Sequence, residues 1–235
     1  MSVNYINFNN KQHIILENFF TPEFINEIYE DIKKSKYMEK FSESTLNYIQ
    51  RNHSVMGNYN YTIEPRYISN YSNLVKIIDS FNIIIKNSLI MNNNSYITKK
   101  FTVNLKNIEL CLCRKNTITS PIIKSSSINI FIPLHEVPYT GGTISIFSKN
   151  LIDNTDSETI FSKYYIRDEI NKNINYNFLE NYDEEDKKKI TEIENFFKYI
   201  PGNVIIINNN TFTRSLLNDT NQDRICLQLI YDYLI

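Results

Sequence analysis

The chain has 235 residues with 25 Lys and Arg against 26 Asp and Glu, and the formal net charge of −1 provides no general attraction to nucleic acid or anionic lipid. A hydrophobic content of 42% excludes intrinsic disorder, and three cysteines are too few for a disulfide framework and contain no CxxC pair for zinc. No segment reaches the roughly 18 apolar residues of a membrane span, so we expect no membrane association. With the balanced charge and few cysteines, we expect one cytoplasmic domain over residues 1–235 that does not bind nucleic acid.

Helices are predicted in the first part of the chain. The composition is rich in Asn and Ile and lacks Ala and Trp, which we attribute to an AT-rich genome, and it favours sheet over long helices. Even so, Thr21 as the N-cap and Pro22 at the first helical position predict a helix over about 22–36. An apolar stripe predicts a second helix over about 72–90, and residues 37–71 between them are expected to be irregular.

Short β-like runs begin near residue 98. They are bounded by Asn, Pro, Gly or Ser and predict strands over 101–105, 108–113, 128–134, 143–147, 202–207 and 225–233. A helical insert is expected over about 150–200, because acidic residues precede basic ones as the helix dipole prefers. Its predicted buried stripe consists of Ile190, Ile193, Phe196, Phe197 and Ile200. The chain is therefore predicted to be α+β and mostly β, with helical support over about 20–92 and a β core over about 98–235.

Two groups of motifs follow in a distinctive order. The first is Pro121-Ile122-Ile123-Lys124, followed by the apolar strand at 128–134 and the Gly141-Gly142 turn. The second is the Pro201-Gly202 turn and its apolar strand, then Thr213, and then Arg224 eleven positions later. Their order and spacing resemble the double-stranded β-helix of the iron(II)/2-oxoglutarate oxygenase superfamily, particularly its prolyl-hydroxylase-like and phytanoyl-CoA-hydroxylase-like branches. The resemblance covers most of the chain and implies a cupin-like jelly roll with N-terminal supporting helices.

The sequence departs from this pattern at the positions that would bind iron. The resemblance places Ile122 at the proximal His, Lys124 at the carboxylate and Thr213 at the distal His, while Arg224 matches the basic residue that pairs with 2-oxoglutarate. Iron(II) in such a triad needs two imidazoles and a carboxylate. Ile has no lone pair, and a cationic Lys repels a divalent metal. No cofactor is therefore expected and iron is disfavoured, while 2-oxoglutarate or a similar carboxylate is left open as a ligand.

Other side chains offer no obvious replacement ligand. The histidines His13, His53 and His135 do not lie in an HxD or HxE arrangement. We interpret His135 as a surface loop residue, and Cys111 and Cys113 as small core residues on one strand.

The altered site suggests an anion pocket. If Lys124 and Arg224 both point inward, they place two positive charges between apolar walls, with Ile122 and Thr213 nearby. Such a pocket suits a small carboxylate, phosphate or sugar acid, and Lys124 with a lowered pKa is a candidate catalytic amine. The alternative places Lys124 on an exposed turn.

Three functions stay open. The first is a pseudoenzyme that binds a small-molecule anion or acts as a scaffold. The second is an iron-independent enzyme that acts on a sugar or secondary metabolite through Lys124 and Arg224. The third is an active iron(II)/2-oxoglutarate-dependent hydroxylase with non-standard ligands. A homodimer through an edge strand is also left open.

Overall fold

A computed structural model describes residues 13–35, 58–63, 68–92, 102–113, 122–123, 127–138, 143–147, 183–208, 211–216 and 218–234. The helices in these ranges are α1 (Pro22–Lys33), α2 (Ser72–Asn92) and α3 (Glu184–Ile193). The first strands are β1 (His13–Leu16), β2 (Asn58–Thr62), β3 (Thr102–Cys113), β4 (Ile122–Ile123) and β5 (Ser127–Pro133). The later strands are β6 (Ile144–Phe147), β7 (Glu194–Phe196), β8 (Val204–Ile207), β9 (Phe212–Ser215) and β10 (Arg224–Leu234).

The strands form two sheets that together make a jelly roll. The larger sheet has the order β1-β8-β5-β10-β3-β2, and the smaller has the order β4-β9-β6-β7. From β3 to β10 the chain passes repeatedly between the sheets, and every pairing is antiparallel. This is the topology of a double-stranded β-helix, so the predicted fold class is confirmed.

Each face of the larger sheet covers a different core. On β10, Ile225, Leu227 and Leu229 belong to the apolar cluster shared with α1 and α2, while Cys226 belongs to the cluster between the two sheets. This division follows from the alternation of side chains along a strand. The second cluster lines the space between the sheets, which we call the cup.

The N-terminal segment is joined to the Pro-Gly turn before β8. The Thr21 hydroxyl caps α1 by accepting a hydrogen bond of 3.2 Å from the Phe24 N–H, as the sequence predicts. The Phe20 N–H donates to the Gly202 carbonyl at 3.0 Å. Gly202 has a φ of +94°, and a Cβ at this position would lie 2.5 Å from the Phe20 carbonyl oxygen, so the turn requires glycine twice over.

Two local predictions are wrong. The predicted irregular stretch contains β2, which pairs with β3. The helix before the Pro-Gly turn ends at Ile193 because the chain becomes strand β7, which pairs with β6, and the proposed buried stripe therefore breaks. Phe196 and Ile200 are 49% and 38% exposed. Within the described ranges, no helix has the length and apolar character required to span a membrane.

Candidate functional site

The start of β10 carries the most unusual side chain in the cup. Arg224 is 4% exposed and shares the cup face of β10 with Cys226 and Gln228. Its guanidinium carbon lies 5.5 Å from the centroid of the Tyr199 ring, a cation–π arrangement. Burial opposes the charged form of Arg224, but its pKa is raised overall above an ordinary value that is already far above neutral, so the guanidinium stays charged. The cup therefore contains a fixed positive charge.

Tyr199 is the aromatic partner of Arg224, and no sequence pattern indicated this contact. It lies just before β8, where the Val137 N–H donates to its carbonyl at 3.0 Å, and its side chain is fully buried in the cup. Burial and the neighbouring Cys226 raise its pKa, so the phenol is neutral. Its hydroxyl interacts with the Cys226 thiol, and within the described part of the chain it makes no hydrogen bond of standard geometry. A buried phenol usually has a hydrogen-bond partner, so this donor is suited to a bound molecule.

The smaller sheet brings together two positions that the sequence analysis placed at the iron ligands. Ile122 on β4 is the direct cross-strand partner of Thr213 on β9, and Thr213 is also opposite Ile146 on β6. Thr213 is 8% exposed, and Ile146 lies in the cup cluster, so position 213 is on the cup side. Lys124 lies outside the residues that the structure describes, and its inward orientation stays a prediction.

The three cysteines lie on the cup side of β3 and β10. Cys111 is the cross-strand partner of Cys226, and Cys113 is the partner of Arg224. All three are buried, and burial raises the pKa of Cys113, while hydrogen bonding to Cys226 and burial raise that of Cys111. The Cys111 thiol also donates to the Gln228 side chain at 3.4 Å. These are neutral thiols rather than reactive thiolates.

The described histidines have structural contacts. His135 is half-buried, and its two ring nitrogens contact the Ile225 N–H at 3.0 Å and the Glu136 carbonyl at 3.2 Å. His135 lies in the loop after β5, as the sequence analysis expected, but it is half-buried and has two ring contacts, so its interpretation as a surface residue is corrected. His13 packs edge-on against Phe197 at a centroid distance of 4.9 Å. His53 lies outside the described residues.

An iron triad does not fit the ligand positions that the structure describes. Position 122 has an aliphatic side chain, and position 213 has a neutral hydroxyl in place of imidazole. Across the described ranges, no group of three or more His, Cys, Asp and Glu side chains could hold a metal ion.

Comparison with solved structures identifies the fold. HygX from Streptomyces hygroscopicus, solved with nickel and 2-oxoglutarate bound, superposes with a TM-score of 0.59 at 8% identity, over 96% of this chain and 84% of that one. A Pseudomonas putida prolyl-4-hydroxylase gives 0.55 at 10% identity, over 94% and 92%. The non-heme alpha ketoglutarate dependent epimerase SnoN from nogalamycin biosynthesis gives 0.53 at 9% identity, over 96% and 78%. No protein-family model matches the sequence, and no curated protein matches it.

The resemblance noted from the sequence is confirmed at the level of the fold, which is that of the iron(II)/2-oxoglutarate oxygenases. One expectation drawn from the sequence is contradicted. We expected no cofactor and disfavoured iron because Ile122 and Thr213 are not metal ligands, but structural neighbours hold 2-oxoglutarate with nickel or Fe3+ in this fold. Ligand positions read from short motifs were too narrow a basis for that conclusion.

Proposed function

We propose that the protein binds a small carboxylate of the 2-oxoglutarate class inside the cup, with Arg224 as the anchor, and that it acts as a ligand-binding protein rather than an oxygenase. The observation that carries this proposal is the buried guanidinium of Arg224 on the cup face of β10. The carboxylate ligand is supported by the structural neighbour HygX, which was solved with 2-oxoglutarate bound.

The chemistry of the cup favours a planar anion. A guanidinium can donate two parallel hydrogen bonds to a carboxylate, and such bonds are stronger where water is excluded. The Tyr199 ring lies on one side of Arg224, with its centroid 5.5 Å from the guanidinium carbon, and the neutral Tyr199 hydroxyl is proposed as a second donor in the cup. The neighbouring cysteines are neutral thiols, which do not repel an anion.

The non-oxidising part of the proposal depends on the smaller sheet. Ile122 and Thr213 are opposite each other, at the positions where the resemblance expects two imidazoles. The sec-butyl group of Ile122 and the hydroxyl of Thr213 are not the imidazoles with which a facial triad activates oxygen, which supports binding without oxidation as the proposed role. We therefore expect the bound carboxylate to be released from the protein without being oxidised.

A second candidate is an iron(II)/2-oxoglutarate-dependent hydroxylase that takes its metal ligands from outside the described residues. It is favoured by one observation, which is that a structural neighbour, the epimerase SnoN, was solved in complex with Fe3+ and alpha ketoglutarate. The two candidates share the carboxylate site and differ in whether oxygen is consumed.

Calorimetric titration with 2-oxoglutarate tests the shared part. We compare the wild-type protein with Arg224→Gln, Arg224→Lys and Tyr199→Phe. Loss of hydrogen bonds to a charged group costs about 1.5–3 kcal/mol, so Arg224→Gln should weaken binding roughly 10- to 100-fold. Arg224→Lys keeps the charge without the planar fork, so its affinity should lie between those of the wild type and Arg224→Gln. The affinity of Tyr199→Phe should be several-fold lower than that of the wild type.

The matched control removes a positive charge elsewhere in the same sheet. Lys106→Gln neutralises a 58% exposed side chain that pairs with Asp232 at 3.0 Å, and it should bind like the wild type. Near-ultraviolet circular dichroism verifies that the Arg224 variants are folded. If folded Arg224→Gln binds as tightly as the wild type, the anchor assignment is wrong.

Oxygen uptake separates the two candidates. With Fe(II), ascorbate and 2-oxoglutarate, the ligand-binding proposal predicts no uptake or succinate production above the protein-free rate. If the wild type consumes oxygen and forms succinate in step, and Arg224→Gln abolishes both, the ligand-binding proposal is wrong and the hydroxylase candidate is supported.

A further inference from the structure

Strand β5 stops pairing with β10 before it reaches the first two residues of β10. Pro133, the last residue of β5, is opposite Cys226, so β10 extends beyond its neighbour by Arg224 and Ile225. The chain after β5 fills the gap with two other contacts. The Leu134 N–H reaches the Ile225 carbonyl at 3.5 Å, and the Ile225 N–H donates to Nε2 of His135 at 3.0 Å. The imidazole therefore provides the Ile225 N–H with the acceptor that a longer β5 would otherwise provide.

The hydrogen bond to Ile225 fixes the tautomer of His135. Because Nε2 accepts from the Ile225 N–H, it carries no proton, and Nδ1 carries the proton and donates to the Glu136 carbonyl at 3.2 Å. A second proton on Nε2 would face the amide hydrogen and remove the acceptor. The ring can therefore perform this role only in its neutral form.

The bond lies next to the anchor of the cup. The Ile225 N–H belongs to the peptide that follows the Arg224 Cα, so holding this amide restricts the backbone from which the guanidinium extends. The guanidinium carbon lies 5.5 Å from the centroid of the Tyr199 ring, and a shift of this backbone would change that cation–π arrangement. Leaving a buried N–H without an acceptor is also unfavourable, which favours a shift of this strand end.

The surroundings favour the neutral ring. Burial lowers the pKa of His135 from its ordinary value of 6.5, and the positive charges of Arg224 and Lys33 lower it further, against backbone hydrogen bonds that raise it. On the other side the ring stacks on Tyr29 of α1, with centroids 5.7 Å apart, and Lys33 Nζ lies 4.1 Å from the same tyrosine ring. The titratable and charged groups facing or adjoining the ring are Tyr29 and Lys33 from α1, Asp223 and Arg224 at the start of β10, and Glu136, which pairs with Lys198.

We propose that His135 is a positioning residue for Arg224, and that protonation of its Nε2 releases the start of β10 and weakens carboxylate binding. The inference rests on the proposed function, because it assigns pH dependence to the same site. The direction follows from the neutral ring being the competent form. Affinity is full above pH 6.5 and falls as the pH drops through the lowered pKa of His135.

The test measures the dissociation constant of 2-oxoglutarate from about pH 5 to about pH 8 for three proteins, a range that covers histidine titration. His135→Gln provides an oxygen that can accept from the Ile225 N–H and does not titrate. His135→Phe keeps the stacking on Tyr29 without any acceptor. The wild type should lose about tenfold in affinity at the acid end, which corresponds to roughly 1.4 kcal/mol. His135→Gln should bind like the wild type at high pH with a flat profile, and His135→Phe should be about tenfold weaker at every pH.

The outcomes separate the two proposals. Because the same ligand is used throughout, titration of 2-oxoglutarate itself affects all three proteins equally. If wild-type and His135→Gln profiles coincide, or if His135→Phe binds like the wild type at high pH, the positioning role is wrong and the carboxylate site stands. If the wild type does not bind 2-oxoglutarate at all across this pH range, both the proposed carboxylate site and the positioning role are wrong. The ¹⁵N spectrum of His135 provides a readout without ligand, because its Nε2 titration should move the Ile225 amide signal, and an unmoved signal contradicts the inference.

Discussion

A metal bridge between β4 and β9 can test the pairing on which the candidate site depends. Ile122 and Thr213 are direct cross-strand partners, so their Cβ atoms are expected about 4.5–5.5 Å apart. Two imidazoles at that separation can bind one metal ion with each nitrogen about 2.0–2.1 Å from it. The double variant Ile122→His/Thr213→His should therefore chelate Zn2+ or Ni2+.

The size of the effect follows from linkage. A metal present at about 100 times its dissociation constant stabilises the folded state by roughly 2.7 kcal/mol. For a chain of 150–250 residues each kcal/mol raises Tm by about 2–4 °C, so the expected rise is about 5–11 °C. The assay is thermal unfolding followed by circular dichroism, with and without Ni2+, and EDTA should reverse the rise.

The control moves one histidine by a single residue. Ile122→His/Arg214→His places the second imidazole at a position that alternation directs to the other face of β9, where Arg214 is opposite Ser145. This variant should show no more metal-induced stabilisation than the wild type. Equal stabilisation of the two double variants would refute the register, and with it the assignment of positions 122 and 213 to one patch of the cup.

Two further substitutions test how the cup is framed. Gly202→Ala should lower the free energy of unfolding by at least about 1–2 kcal/mol. Alanine disfavours the positive φ, and its Cβ would lie 2.5 Å from a backbone oxygen before α1. An unchanged Tm would contradict the turn geometry. Asn218→Ala should cost about 2 kcal/mol, since its buried amide donates at 3.0 Å to the Cys113 carbonyl and at 2.9 Å to the Gln222 carbonyl, and urea denaturation against the exposed control Asp219→Ala measures the difference.

The strands of the cup could be predicted because their signals are local. The run at 128–134 is mostly apolar, follows Ser127 and has Pro133 near its end, and it corresponds to β5. Alternation then assigns Arg224 to one face of β10 and Ile225 to the other. The Thr21-Pro22 start of α1 is equally local, because a cap and a fixed φ act within one turn.

The parts that could not be predicted depend on contacts between distant segments. β2 was missed because a polar, Tyr-rich segment becomes a strand only through its pairing with β3. The end of α3 was missed because the chain after Ile193, from Glu194 to Phe196, pairs with β6 instead of continuing the helix. His135 and Ile225 are 90 positions apart, so no sequence pattern indicated their hydrogen bond. Tyr199 was one tyrosine among 17 until the fold placed it against Arg224.

The most direct test of the central claim is a crystal structure of the protein grown with 2-oxoglutarate. We predict density for the ligand in the cup, with one carboxylate about 2.7–2.9 Å from the guanidinium nitrogens of Arg224. A cup without ligand at saturating 2-oxoglutarate, or a ligand held away from Arg224, would contradict the account.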